Sequence, residues 1–184
     1  MRTRTHLVAG GLAAVVLGST LSACGDDDQT GGADACALVS DAKAAEAIGV
    51  DPATSSDESK DLGGAASNVL SCRYAPDEEG PALVFTASRA PSADKARTDI
   101  DTTRRACPDA EPLEISGVDG FVCSTGDLAG GPQAYATWDG FVVDAGLTVS
   151  RDGQDDPATV LRPVIQDLKD HLKRTAFEFE GQAS

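Results

Sequence analysis

The sequence predicts an α+β domain built on a single antiparallel sheet of about six strands, with helices packed on one face. Three observations carry that expectation. Apolar residues alternate with polar ones at Leu83, Phe85 and Ala87, and again at Phe141, Val143, Ala145, Leu147 and Val149, which is the period of a half-buried strand. Asp139-Gly140 separates that second run from Tyr135-Ala136-Thr137-Trp138, the strongest short-range signal for a hairpin. Leu161, Ile165, Leu168 and Leu172 repeat at helical spacing near the end of the chain.

Taken in order, the elements read α-β-β-α-β-β-β-β-α. The segment from Ala37 to Ile48 puts Leu38, Ala42, Ala45 and Ile48 on one helical face, and Gly49 supplies its stop. Residues 51–67 hold Pro, Ser, Asp and Gly with no period and read as a loop. Leu70, Cys72 and Tyr74 alternate as a strand, Pro76 to Gly80 turns the chain, and Leu83 to Ala87 returns it. Ser92 to Ala106 is a helix with Ala93, Ala96 and Ile100 on its apolar side. Leu113-Glu114-Ile115 and Gly120-Phe121-Val122-Cys123 are short strands, followed by the Asp139-Gly140 hairpin. Asp156 before Pro157 is a cap-and-start pair for the last helix, in which Pro163 predicts a kink or a later start near Arg162.

The first 23 residues have a different character. Arg2 and Arg4 precede the apolar run Leu7–Leu17, which is too short for a span of about 20 residues and reads as an export signal. Leu21-Ser22-Ala23-Cys24 is similar to the lipobox of bacterial lipoproteins, a resemblance that implies cleavage before Cys24 and a diacylglyceryl thioether on it. The expected organisation is therefore a leader over 1–23, a lipidated cysteine and acidic tether over 24–35, one globular domain over 36–178 and a disordered tail over 179–184. The expected location is the extracytoplasmic face of the cell membrane, reached through the Cys24 lipid.

The leader contains two of the 15 basic residues and none of the 30 acidic ones, so its removal takes the net charge from −15 to −17. So acidic a surface repels polyanions, and a nucleic-acid partner is not expected. Aside from Cys24, the cysteines are Cys36, Cys72, Cys107 and Cys123, an even set that reads as two disulfides in an exported chain. Three connectivities are possible. Sequential pairing, Cys36–Cys72 and Cys107–Cys123, closes short loops between neighbouring elements and is favoured. A zinc site needs Cys-x-x-Cys or histidine spacings that the sequence lacks.

Asp34-Ala35-Cys36-Ala37-Leu38-Val39-Ser40, then Ala44 to Gly49, then Ser71-Cys72-Arg73-Tyr74, together resemble a family of actinobacterial lipoproteins known as a domain of unknown function. Its members carry a Cys-x-Leu-Leu segment, a helix ending in Leu-Gly and a Cys-x-Trp strand. Its plan is similar to that of the extracytoplasmic sensor domains of actinobacterial serine/threonine kinases. The resemblance runs over most of 34–173 and implies no catalytic residues. This chain departs from the pattern with Tyr74 in the tryptophan position and with its second cysteine pair.

Several patterns invite a catalytic or metal reading. Ser40-Asp41-Ala42-Lys43 and Ser92-Ala93-Asp94-Lys95 fit Ser-x-x-Lys, in which the lysine activates the serine, but each serine begins a helix and capping explains it. His171, the only histidine beyond the leader, lies near the end of the last helix, where a cation suits the helix dipole. Asp152, Asp155 and Asp156 share a loop but lack the Asp-x-Asp-x-Asp-Gly spacing of a calcium loop, and Asp156 has its role as a cap. No metal and no cofactor are expected. Trp138 and Tyr135, beside the hairpin turn, are the candidate interface residues. The expected function is non-catalytic binding or sensing, with an envelope protein or small ligand as partner. A carrier of a lipid or other amphiphile, and a hydrolase using Ser40 or Ser92, are the alternatives.

Overall fold

The computed structural model describes residues 34–50, 54–59, 69–77, 80–124, 130–148 and 156–172. Among these, the helices are α1 (Asp41–Ile48), α2 (Ala93–Ala106) and α3 (Pro157–His171), preceded by a 3-10 turn over Ala35–Leu38. The strands are β1 (Thr54–Asp57), β2 (Val69–Ala75), β3 (Leu83–Arg89), β4 (Glu111–Pro112), β5 (Asp119–Cys123), β6 (Gln133–Trp138) and β7 (Phe141–Leu147). They form one antiparallel sheet in the order β1-β2-β3-β7-β6-β5-β4, so β7 is its central strand.

Register divides the side chains into two faces. Leu70, Cys72 and Tyr74 of β2 lie beside Ala87, Phe85 and Leu83 of β3, and these beside Val143, Ala145 and Leu147 of β7. Across β6 the same face continues through Ala134, Ala136 and Trp138. The 3-10 turn, α1 and α3 cover it, and Leu161, Val164, Ile165 and Leu168 of α3 are wholly buried there. Each such side chain contributes about 1.5–3 kcal/mol of burial.

The α+β class and the single sheet agree with the sequence reading, but α2 does not join the other helices. Ile100 of α2 packs on Phe121 and Cys123, with Tyr135 and Val142 alongside, and all four belong to the opposite face. Helices therefore cover both faces of the β5–β7 half. The physical reason lies in the composition of those strands: Phe121-Val122 and Val142-Val143 place an apolar residue on each side, the pattern of a strand buried twice.

The sheet also has seven strands where about six were expected. The additional β1 comes from the segment read as a loop; its four residues are all exposed, so no burial imposes a period on them. The strand expected at Leu113–Ile115 is displaced to Glu111–Pro112, and Leu113 and Ile115 enter the core from a non-strand backbone. Pro112 is tolerated because β4 is an edge. The first helix is broken at Val39 and Ser40, both extended, so it becomes a 3-10 turn followed by α1.

Local signals elsewhere act as the residue types require. Gly49 ends α1 in the left-handed region at φ 75°. Asp139 and Gly140, at φ 49° and 85°, make the two-residue turn between β6 and β7. Asp156 accepts from the Ala158 N–H at 3.1 Å, and α3 begins at Pro157 and runs through Pro163. The disulfides are Cys36–Cys72 and Cys107–Cys123, with Cα separations of 5.2 and 6.1 Å.

Candidate functional site

On the face that carries α2, register aligns a transverse row of Ser71, Thr86, Asp144, Tyr135 and Phe121 across β2, β3, β7, β6 and β5. One end is apolar and covered. Phe121 stacks on Tyr135 with ring centroids 5.2 Å apart, and Arg104 of α2 lies 5.1 Å over the Phe121 ring while donating to Asp119 at 2.5 Å. At the other end, Val84, Thr86 and Ser88 of β3 are only partly buried. Asp144 lies between the two regimes, on the central strand, and is itself partly buried.

The Thr86 hydroxyl donates to Asp144 Oδ1, and the Gln133 side chain hydrogen-bonds the same carboxylate. Burial pushes the Asp144 carboxyl above the ordinary carboxylate range, and those two hydrogen bonds pull it part of the way back. Gln133 is 2% exposed, and its Oε1 has no hydrogen-bond partner among the described residues. A buried amide oxygen with no hydrogen-bond partner among the described residues is costly, whereas the partly buried carboxylate is already engaged by Thr86 and Gln133. Chemically, the arrangement can receive N–H or O–H groups and compensate a positive charge.

The residues singled out from sequence lie in several places. Tyr135 is part of this row. Trp138 is 6% exposed and packs in the main core, its ring 6.1 Å from that of Phe141. Inward orientation follows from its register opposite Phe141 on the α3-covered face. Cys24, Asp152 and Asp155, with the leader and the tail, lie outside the described residues, while Asp156 caps α3.

The two Ser-x-x-Lys motifs differ from one another. Ser92 caps α2, accepting from the Lys95 N–H at 3.1 Å, while the Lys95 ammonium pairs with Asp99. Ser40 precedes α1 without a capping bond; its hydroxyl instead donates to Asp167 of α3 at 3.0 Å, and Lys43 pairs with Glu46 at 3.3 Å. His171, one turn beyond Asp167, has Nδ1 at 3.1 Å from the Leu38 carbonyl oxygen. The acid is therefore hydrogen-bonded to the serine, and the imidazole nitrogen to backbone. Cys107, Asp109 and Cys123 bring ligand-type atoms within 4.8 Å of one another, but both sulfurs are bridged and are not thiolates.

A groove of about 400 Å³ runs along Ala42, Ala45, Glu46, Gly49 and Val50 of α1 and the residues just after it. It opens on the outside of α1. Beneath that helix, Ala44, Ala47 and Ile48 are packed into the core with α3.

Asp144, Thr86 and Gln133 were absent from the sequence-derived candidates. The available signal was an acid in the middle of Phe141-Val142-Val143-Asp144-Ala145, an apolar run that marks a central strand. Searches against protein families, curated proteins and solved structures find no match to this chain.

Proposed function

We propose that this chain is a lipid-anchored, extracytoplasmic binding or sensing module without a catalytic role, and that its ligand site is the sheet face around Asp144. One observation carries the reading: the central strand holds a partly buried carboxylate that accepts from the Thr86 hydroxyl, on the same face as a buried Gln133 amide oxygen with no hydrogen-bond partner among the described residues. A domain that keeps a buried acceptor unsatisfied loses stability unless a partner supplies what it lacks.

The anchor rests on Leu21-Ser22-Ala23-Cys24 and the basic-then-apolar leader before it. Two acyl chains give stable membrane attachment without a spanning helix. Membership of the actinobacterial lipoprotein family, with a plan similar to that of extracytoplasmic kinase sensor domains, belongs to the same proposal. An amphiphile carrier draws less support, because the groove on α1 lies outside the helix rather than between helix and sheet.

Two measurements test the reading. Cys24→Ala releases the protein from the membrane fraction; full retention of the unlipidated protein argues against the anchor. Native mass spectrometry of the full chain, extracted from its own envelope, finds an added mass that is lost in Asp144→Asn. A bare mass in both proteins, with no envelope protein co-purifying, removes the binding reading.

A further inference from the structure

We infer that reduction of the Cys107–Cys123 disulfide opens a site for one soft divalent metal ion, held by the two thiolates and the Asp109 carboxylate. None of these ligands belongs to the Asp144 group, so the site stands or falls by itself.

Three separate pieces of chain bring the ligands together. Cys107 follows the last turn of α2, Pro108 and Asp109 form a turn that brings the carboxylate back to the sulfur, and Cys123 ends β5. Asp109 Oδ1 lies 3.3 Å from Cys107 Sγ, and the three ligand atoms are all within 4.8 Å of one another. A bridged sulfur carries no proton, so this approach is not a hydrogen bond. The Ser124 N–H donates to Asp109 Oδ2 at 3.1 Å, which fixes the carboxylate and leaves Oδ1 turned toward the sulfur. Among the described residues, Cys36 and Cys72 gather no third ligand of this kind.

Electrostatics decides what the opened pair takes. Two thiolates and a carboxylate within 4.8 Å repel one another, and a divalent cation turns that repulsion into attraction. Sulfur selects a soft ion such as zinc or cadmium over calcium or magnesium, which take oxygen. Three protein ligands leave the fourth tetrahedral position to water. With Zn–S at about 2.3 Å, two sulfurs on one zinc stand about 3.8 Å apart. The Cα atoms, 6.1 Å apart, stay in place while rotation of the half-buried Cys107 side chain supplies that parting.

Exposure sets the order of the redox step. Cys123 is 4% exposed, whereas Cys107 is half-buried and Asp109 exposed, so an external dithiol attacks Cys107 Sγ. Cys123 leaves and takes a proton. The second thiol of the reductant then displaces Cys107, which is protonated in turn, and the reductant closes to its own disulfide. Two electrons and two protons have passed to the protein, and both protons go to water as the sulfurs bind the metal. The ion then ties the end of α2 to β5 in place of the covalent bond, where Ile100 and Phe121 pack with Cys123.

For the test, full-length protein in detergent is reduced with dithiothreitol, freed of it without oxygen, and titrated with cadmium chloride. The ultraviolet thiolate-to-cadmium charge-transfer band should saturate at one ion per chain in the reduced protein and be absent from the oxidised protein. Cys107→Ser with Cys123→Ser should abolish the band, and Asp109→Asn should keep it while weakening binding roughly tenfold or more. Because the paired substitution can disturb the fold, cadmium-113 NMR of the unsubstituted protein reads the ligand set directly, and two sulfurs with oxygen are expected. No band on reduction, an equal band in the oxidised protein, a band that survives the paired substitution, a four-sulfur signal or unchanged affinity in Asp109→Asn overturns the inference.

Discussion

The phenolic oxygen of Tyr74 lies 2.8 Å from the carbonyl oxygen of Val39, at the point where the first helix of the domain is interrupted. The same hydroxyl lies 2.5 Å from the Cys36 carbonyl oxygen, and Cys36 is bridged to Cys72 two residues before Tyr74. One strand thus holds the N-terminal segment twice, by a covalent bond and by a shared proton. A tryptophan, whose N–H donates from a different position on a larger ring, would not make the same pair of contacts.

Replacing Tyr74 with phenylalanine leaves both carbonyls short of a donor and costs about 1–3 kcal/mol, read from urea unfolding at neutral pH. Burial, with Asp41, Asp34 and Asp167 adding to it, raises the Tyr74 hydroxyl above its ordinary 10.0 against the opposing Val39 hydrogen bond. Its contribution is therefore fully present below pH 10.0 and is lost as pH rises through the elevated value. The alkaline fall in stability should be smaller in Tyr74→Phe than in the unsubstituted protein.

Asp144 predicts a gain. Its carboxyl is raised above 3.8, so its contribution is complete below that value and is lost as pH rises through the raised one. At neutral pH the ionised group opposes folding. Asp144→Asn removes the charge and can present an N–H to Gln133 Oε1, so stability at pH near 7 rises by the order of 1 kcal/mol. The gain shrinks in acid, where the aspartate is neutral as well. Denaturation midpoints compared at the two pH values check this, and a loss at neutral pH would show that the carboxylate is satisfied as it stands.

The disulfides differ in the loops they close, with sequence separations of 36 and 16 residues. Loop-closure entropy assigns about 3–4 kcal/mol to each, with the longer loop above the shorter by less than about 1 kcal/mol. Paired serine substitution at Cys36 and Cys72 should destabilise the domain more than the same change at Cys107 and Cys123. Peptide mapping without reduction should recover the two sequential links.

Ile100 is the one large, fully buried side chain of α2, 1% exposed against Phe121 and Cys123. Ile100→Ala should cost about 2–5 kcal/mol and raise hydrogen exchange selectively in α2 and β5. If exchange instead rises in α3, the two helices share a layer.

How much of this was legible depends on whether a feature is local. Gly49, Asp139-Gly140, Asp156-Pro157 and the strands of alternating residues lie where the residue types put them, because dihedral preference and capping act within a few residues. Ser40 shows the limit. A serine before a helix predicts a cap, yet this hydroxyl goes to Asp167, 127 residues away, because packing α1 on α3 sets a competing acceptor beside it.

By itself, the sequence determined the class, the order of the predicted elements and the sequential cysteine pairing favoured for its short loops. Tertiary structure alone decided that α2 crosses to the second face, that four exposed residues become β1, that Trp138 turns inward and that Asp144 lies beside an unpaired Gln133 oxygen. The reason is common to all four. Periodicity reports that a residue has a buried side, whereas register and layer assignment determine what it is buried against, and those are set by contacts between segments far apart in the chain.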